Sequence, residues 1–211
     1  MSLLPKLAKK FEVIIIDDGS ADHTYQVAQK MSKKFTQIRV VRHQKNRGYG
    51  ASLKTGFESS QYDWVFFTDG DLQFSLDQLA EFVPFTNVRE VIIGYRKKRA
   101  DGALRSTNAR LYKLFVDILF RLNVKDIDCA YKLFSKRVLN LVNLESEGAF
   151  ISAELLYKLK KKRIAFKQLP VDHFPRQFGS PTGNNISVIL KASRDAFRLY
   201  LHMKFGWFNT V

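Results

Sequence analysis

The sequence predicts an α/β fold with a mostly parallel central sheet flanked by helices. Three observations carry that prediction. Short runs rich in β-branched and aromatic residues recur along the first half, helical patterns separate them, and a capping residue or glycine opens each of those helices. The strands are read at Glu12 to Ile16, Ile38 to Val41, Asp63 to Thr68 and Glu90 to Tyr95. The helices between them cover about Asp22 to Lys34, Gly48 to Ser59 and Ser75 to Phe85, which makes the first half a series of βαβ units. After Arg96 the pattern becomes a longer helix near Leu104 to Leu122, a short strand near Ala130 to Ser135 and a helix near Ala149 to Lys162. An extended segment from Arg163 to Phe174, a Gly/Pro loop and a last helix from about Ile186 to Met203 complete the chain. Sheets of this kind usually begin with a strand near the N-terminus, whereas Leu3 to Lys10 reads as the end of a helix. The expected sheet therefore starts one strand late.

With 211 residues, no internal repeat and no linker, one domain spanning 1–211 is expected at roughly 150 residues per domain. A composition of 45% apolar and 26% charged residues excludes disordered and collagen-like classes. Apolar runs such as Val13 to Ile16 fall far short of the ~20 residues needed to span a bilayer. Met1 to Lys10 lacks the apolar centre of a secretory signal, so the chain reads as cytosolic. The lone Cys129 excludes an internal disulfide and a thiolate metal cage. The net charge of +15 favours polyanionic partners: nucleic acid, anionic lipid or phosphorylated substrates.

In an open parallel sheet the ligand crevice lies beyond the carboxyl ends of the strands. Two acidic turns fall there, Asp17-Asp18-Gly19-Ser20 and Asp69-Gly70-Asp71-Leu72-Gln73. The first could be an ordinary turn ahead of a helix capped by Asp22. The second puts two carboxylates one glycine apart, with a carboxamide oxygen to follow, a donor set suited to a hard divalent cation. A parallel sheet places both turns on one edge, where unshielded carboxylates repel, so the aspartates are expected to converge on such an ion. A third element, His43 to Ser52, passes through Gly48 and Gly50 into a helix, where backbone N–H groups can approach a phosphate. The paired acidic turns leave a nucleic-acid binder as the lowest-ranked reading.

Together with Asn46-Arg47-Gly48-Tyr49-Gly50-Ala51 and Arg176-Gln177-Phe178-Gly179-Ser180, the two acidic turns occur in an order that resembles the family 2 glycosyltransferases of GT-A fold. The likeness is greatest to the dolichol-phosphate mannose synthase branch, which moves a sugar from a nucleotide diphosphate onto a polyprenyl phosphate. This resemblance implies that Asp17, Asp18, Gly48 and Asp69 contact the nucleotide-sugar donor. It also implies that Asp69, Asp71 and Gln73 hold Mg²⁺ or Mn²⁺, and that Arg96, Arg105, Arg110 and Arg176 serve the acceptor phosphate. Asp71, Arg96 and Arg176 form the implied catalytic set. An ionised phosphate oxygen needs no general base; a sugar-hydroxyl acceptor on a glycan would, and Asp128 and Glu154 are then the candidates. A catalytically inactive nucleotide-sugar-binding homologue is the other alternative. Typical relatives begin with a strand ending in a Pro-x-Tyr-Asn-Glu-like turn that helps hold the nucleotide base. No such segment precedes Leu3, so the resemblance implies an N-terminally truncated GT-A sheet, through a misassigned start or a truncation in preference to a strand supplied by a partner or an inactive homologue.

A polyprenyl acceptor lies in a bilayer, which implies a peripheral place on the cytoplasmic face of a membrane. Leu111, Leu114, Phe115, Ile118 and Leu122 share a helical stripe, while Lys191, Arg194 and Arg198 precede Phe205, Trp207 and Phe208. Basic faces with aromatic neighbours suit anionic headgroups, although such stripes can equally pack on a core. Some family members add membrane helices or use a separate membrane subunit.

Overall fold

The computed structural model describes residues 2–98, 103–177 and 186–205, with side chains described at 2–98, 110–177 and 190–201. Helix α1 (Leu4–Leu7) leads into β1 (Val13–Asp17), α2 (Thr24–Lys34), β2 (Ile38–Arg42), α3 (Tyr49–Ser59) and β3 (Trp64–Thr68). From β1 to β3 these match the predicted elements to within two residues, whereas α1 ends three residues short of Lys10. Asp22 Oδ1 accepts the Thr24 N–H in a turn just ahead of α2, whose N-cap position is His23 rather than Asp22.

The predicted helix at Ser75 to Phe85 breaks into a 3₁₀ turn (Leu76–Gln78), α4 (Leu79–Phe82) and a second 3₁₀ turn (Val83–Asn87). Pro84 has no N–H for an α-helical bond, and its ring crowds the preceding turn. Then follow β4 (Val91–Arg96), α5 (Ala103–Phe120), β5 (Tyr131–Ser135), α6 (Lys136–Leu139), α7 (Ile151–Lys161), β6 (Phe166–Val171) and α8 (Ile186–Phe205). Left-handed backbone at Arg121 (φ 48°) and Asn123 (φ 56°) ends α5 short of Leu122.

Among the described residues the strands form two hydrogen-bonded groups. β1 and β2 pair in parallel, with Val13 opposite Ile38 and Asp17 opposite Arg42. The other sheet has the order β3-β5-β4-β6, in which β4 and β6 are parallel and β5 runs antiparallel between β3 and β4. Helix α3 joins the two groups. Its Gly56 faces Ile16 of β1, and its Phe57 lies edge-on to Phe67 of β3 at 5.8 Å and Phe134 of β5 at 6.2 Å.

One large core forms between the sheet and α5, α7 and α8, around Val91, Ile93, Val116, Phe120, Phe134, Phe150, Leu156 and Leu159. A second, around Phe82, Ile92, Tyr131 and Val171, fills the other face. Burial on both faces explains why β4 reads as an uninterrupted apolar run. The carboxyl ends of β1, β3, β4 and β6 carry Asp18, Asp69, Arg96 and the segment to Arg176. The loop leading into antiparallel β5 comes to the same edge as the ends of β3 and β4.

Candidate active site

The turn after β3 is set by backbone geometry. Leu72 sits at φ 60°, a left-handed conformation that a non-glycine residue adopts at a cost of roughly 1–2 kcal/mol. That bend brings the Gln73 N–H to 3.1 Å from Asp71 Oδ1. Gln73 is buried, and its Nε2 donates to the Phe174 carbonyl at 3.1 Å, so its Oε1 turns toward the site. There Arg176 Nη2 lies 2.6 Å from Asp71 Oδ2 and 3.3 Å from Gln73 Oε1. Asp69 is held above the usual carboxylate range, first by burial and then by the charge of Asp71; Tyr49, Lys132 and Arg176 only partly oppose this. Two crowded carboxylates and a carboxamide oxygen are a donor set that fits a divalent cation, and the Arg176 guanidinium stands on two of those oxygens in its place.

The first acidic turn is built differently. Asp17 is buried, lies 3.1 Å from Arg42 Nε, and accepts the Ser20 N–H. Asp18 accepts the backbone N–H groups of Arg47 (2.9 Å) and Gly48 (2.7 Å) and contacts His43 Nδ1 at 2.6 Å. Both carboxylates are therefore engaged in their own neighbourhood. The expected convergence of Asp17 with Asp69 and Asp71 is corrected accordingly: among the described residues no three His, Cys, Asp or Glu side chains are grouped to hold a metal.

The glycines after β2 also serve packing rather than phosphate approach. Gly48 has φ 103°, and a Cβ there would lie 2.6 Å from the Glu147 carbonyl oxygen; Gly50 is as tightly placed against 146–148. The N–H groups of Gly50 and Ala51 donate to Glu147 O. Between Asp18 and Glu147, the N–H groups of Arg47, Gly48, Gly50 and Ala51 all have acceptors within the chain, which the glycine spacing does not reveal. Burial alone would raise the Asp18 pKa, but the bonds from His43, Arg47 and Gly48 outweigh it and hold the carboxyl below its usual value of 3.8. Ionised Asp18 thus stabilises the folded state. Asp18→Asn is expected to cost about 1–2 kcal/mol near neutral pH. Because the folded pKa is depressed, the gap should be full above 3.8 and vanish as pH falls through the lowered value. Urea melts of both proteins from pH 7 to pH 3 check this; a gap independent of pH would contradict it.

Arg96, at the end of β4, is nearly buried, with Nε and Nη2 on the two oxygens of Asp126 at 2.6 and 2.7 Å. Beside it a groove of about 180 Å³ is lined by Tyr95, Arg110, Lys113, Lys125 and Asp128. The bidentate grip that the resemblance offered to a phosphate is therefore taken by Asp126, and Arg96 contributes to the groove as a fixed charge. A larger concavity, of about 400 Å³, lies at the opposite, amino ends of β4 and β6. Glu154 is buried and accepts the Glu145 and Ser146 N–H groups at 2.8 and 2.9 Å while pairing with Lys158 at 2.7 Å. It holds the loop that receives α3, which removes it as a candidate base. The Arg105 side chain, the motif residues Phe178, Gly179 and Ser180, and the Phe205, Trp207 and Phe208 side chains lie outside the described residues.

Lys132 was not singled out from sequence. It is buried in β5, with its ammonium donating to Ile127 O at 3.0 Å and to Cys129 O, 5.3 Å from the Phe67 ring centroid. It lies electrostatically between Asp69 and the Asp126–Asp128 loop, joining the acidic turn to the basic groove. A lysine inside the apolar strand Ala130 to Phe134 was the available signal.

Residues 2–142 match the family model described as glycosyl transferase family 2. The chain belongs to that family. This family 2 chain is 27% identical over 175 residues to the dodecaprenyl-phosphate galacturonate synthase of Rhizobium johnstonii, covering 81% of this chain and 51% of the relative. It is 24% identical to the dolichyl-phosphate beta-glucosyltransferase of Saccharomyces cerevisiae, covering 80% of this chain and 58% of the relative. The chain thus spans little more than half the length of these relatives. Its fold is that of glucosyl-3-phosphoglycerate synthase from Mycobacterium tuberculosis, solved with Mn²⁺, UDP and glucosyl-3-phosphoglycerate. The TM-score is 0.67 at 18% identity, covering 90% of this chain and 67% of that one.

Proposed function

We propose that the chain forms a single catalytic domain of a metal-dependent, inverting glycosyltransferase that moves a hexose from a nucleotide-diphosphate sugar to a polyprenyl phosphate. The observation that carries this reading is the pairing, on one edge of the sheet, of a cation-ready acidic turn with a basic groove. Asp69, Asp71 and Gln73 would hold Mg²⁺ or Mn²⁺, which when bound neutralises charge on the departing diphosphate, an effect worth several kcal/mol. Arg96, Arg110, Lys113 and Lys125 bring four cationic side chains to the groove, with Asp126 on Arg96, Asp117 on Lys113 and Asp128 in the lining, an excess of positive charge that suits a phosphate.

The acceptor's phosphate oxygen forms its bond to the anomeric carbon as the bond to the diphosphate breaks, inverting that carbon. That oxygen is already ionised near neutral pH, so no residue need remove a proton. The relatives' names support the acceptor class. The test is transfer of labelled sugar from GDP-mannose or UDP-glucose to polyprenyl phosphate in detergent with Mn²⁺. A labelled lipid product is expected. Transfer only to a glycan hydroxyl, or none, would overturn the reading.

Reaching such an acceptor requires a membrane-facing surface. No helix among the described residues is long and apolar enough to cross a membrane. Helices α5 and α8 pack through Val116, Phe120, Ala192, Ala196 and Leu199. The predicted stripe on α5 divides: Leu122 is buried and Phe115 packs on the core, whereas Leu111, Leu114 and Ile118 are 60%, 58% and 69% exposed. On α8, Leu190 and Phe197 are exposed as well, near the exposed Arg194. Apolar side chains left in solvent beside cations suit adsorption to the anionic, cytoplasmic leaflet. Replacing Leu114 and Ile118 by Glu is expected to weaken binding to phosphatidylserine vesicles at least about tenfold in co-sedimentation, since each buried methylene contributes ~0.8 kcal/mol. Unchanged sedimentation would remove this part of the proposal.

A further inference from the structure

We propose that in the free protein Arg176 occupies the cation's seat, so that a divalent cation and the Arg176 guanidinium exclude each other on Asp71 and Gln73. Cation binding then hands Arg176 over to the diphosphate. This rests on the assignment of Asp69, Asp71 and Gln73 as the cation's ligands.

The argument is one of atoms. Asp71 Oδ1 is taken by the Gln73 N–H, which leaves Oδ2 as the oxygen turned to the site. Gln73 Nε2 is taken by the Phe174 carbonyl, which leaves Oε1. Those are the two oxygens that Arg176 Nη2 reaches, at 2.6 and 3.3 Å. A cation bound about 2.0–2.6 Å from the same oxygens would meet a like charge in direct contact. One of the two must leave.

Arg176 is poorly satisfied where it stands. Its Nε is buried and finds no acceptor among the described residues, a donor that an arriving anion would satisfy. The backbone beside it need not move, because the Phe174 N–H is held by Gln73 O at 2.9 Å. Rotation of the side chain alone exchanges the carboxylate for a phosphate oxygen, and a planar guanidinium binds either.

The exchange makes two predictions of opposite sign. Mn²⁺ binding to the full chain is followed by loss of the free-ion EPR signal, without any turnover. Arg176→Gln is expected to bind Mn²⁺ alone about tenfold more tightly than wild type, because the seat no longer has to be vacated. For inorganic pyrophosphate at saturating Mn²⁺ the order reverses, with the variant about tenfold weaker because the diphosphate loses its charge-assisted partner. Arg176→Lys, which keeps the charge without the planar fork, should fall between the two in both measurements and guards against a poorly folded Gln variant. Equal or weaker Mn²⁺ binding by both variants would overturn the exchange while leaving the cation seat in place. Absence of Mn²⁺ binding in wild type and both variants would remove the seat itself, and the exchange with it.

Discussion

Asp71→Asn is expected to lower kcat/KM for sugar transfer by ~10³-fold or more at saturating Mn²⁺, equivalent to about 4 kcal/mol of transition-state stabilisation. The size follows from how the turn is built. Asp71 offers the site a single oxygen, Oδ2, since Oδ1 is held by the Gln73 N–H. An asparagine keeps the shape and loses the charge. The single carboxylate left at Asp69 then faces the ion with half the charge of the pair. Asp17→Asn provides the contrast. Asp17 is buried against Arg42 and Ser20, so its substitution should lower the melting temperature while leaving kcat within a few-fold of wild type among molecules that remain folded. Initial rates with labelled donor, together with thermal melts of both variants, separate the two aspartates. An Asp71→Asn enzyme within tenfold of wild type would show that the turn holds no catalytic cation.

That contrast marks how far the amino-acid pattern reaches. The strands and most helices were legible because apolar alternation and capping residues are local signals, and β1 to β4 lie within two residues of their expected places. The direction of β5 was not legible, since an antiparallel strand buried on both faces has the same apolar run as a parallel one. The hydrogen-bonded ladder was read as one sheet and observed as two groups joined through α3.

At the site, Asp71, Gln73 and Arg176, all legible in the sequence, are hydrogen-bonded together, and Asp69 lies close enough to feel the charges of Asp71 and Arg176. Asp17, Asp18 and Gly48 carry the same kind of signal, yet Asp18 is bonded to the Gly48 N–H within the chain, and Asp17 is buried with Oδ1 on the Ser20 N–H and Oδ2 beside Arg42 without a hydrogen bond. Sequence reports which residues can donate or accept, whereas satisfaction depends on partners far along the chain: Glu147, which receives the Gly50 N–H, lies about a hundred residues away. Glu154 is the same lesson from the other side. A carboxylate that could serve as a base instead holds the loop carrying Glu147, so helix α7 supports the entry of α3 and, through Gly48, the seat of Asp18.

The second large effect is expected at Asp126. Both of its oxygens hold Arg96, whose side chain is only 5% exposed. Burial works against the guanidinium's charge, and Asp126 more than offsets it. Asp126→Leu removes that compensation and leaves the cation in a low-dielectric site, a change that typically costs about 3–5 kcal/mol. The melting temperature should fall by of order 10 °C.

Arg96→Met in the same background should restore much of that loss, because a buried ion pair replaced on both sides by apolar groups is often neutral. The double variant then isolates function from folding. It retains Arg110, Lys113 and Lys125 in the groove but has lost the cation fixed at the end of β4. If Arg96 acts as a preoriented charge for the acceptor, the double variant should melt near wild type while its KM for polyprenyl phosphate rises by about tenfold or more and its KM for donor stays put. If the pair serves the fold alone, both constants should recover with stability. The buried pair would then be the support of the groove and not part of its chemistry.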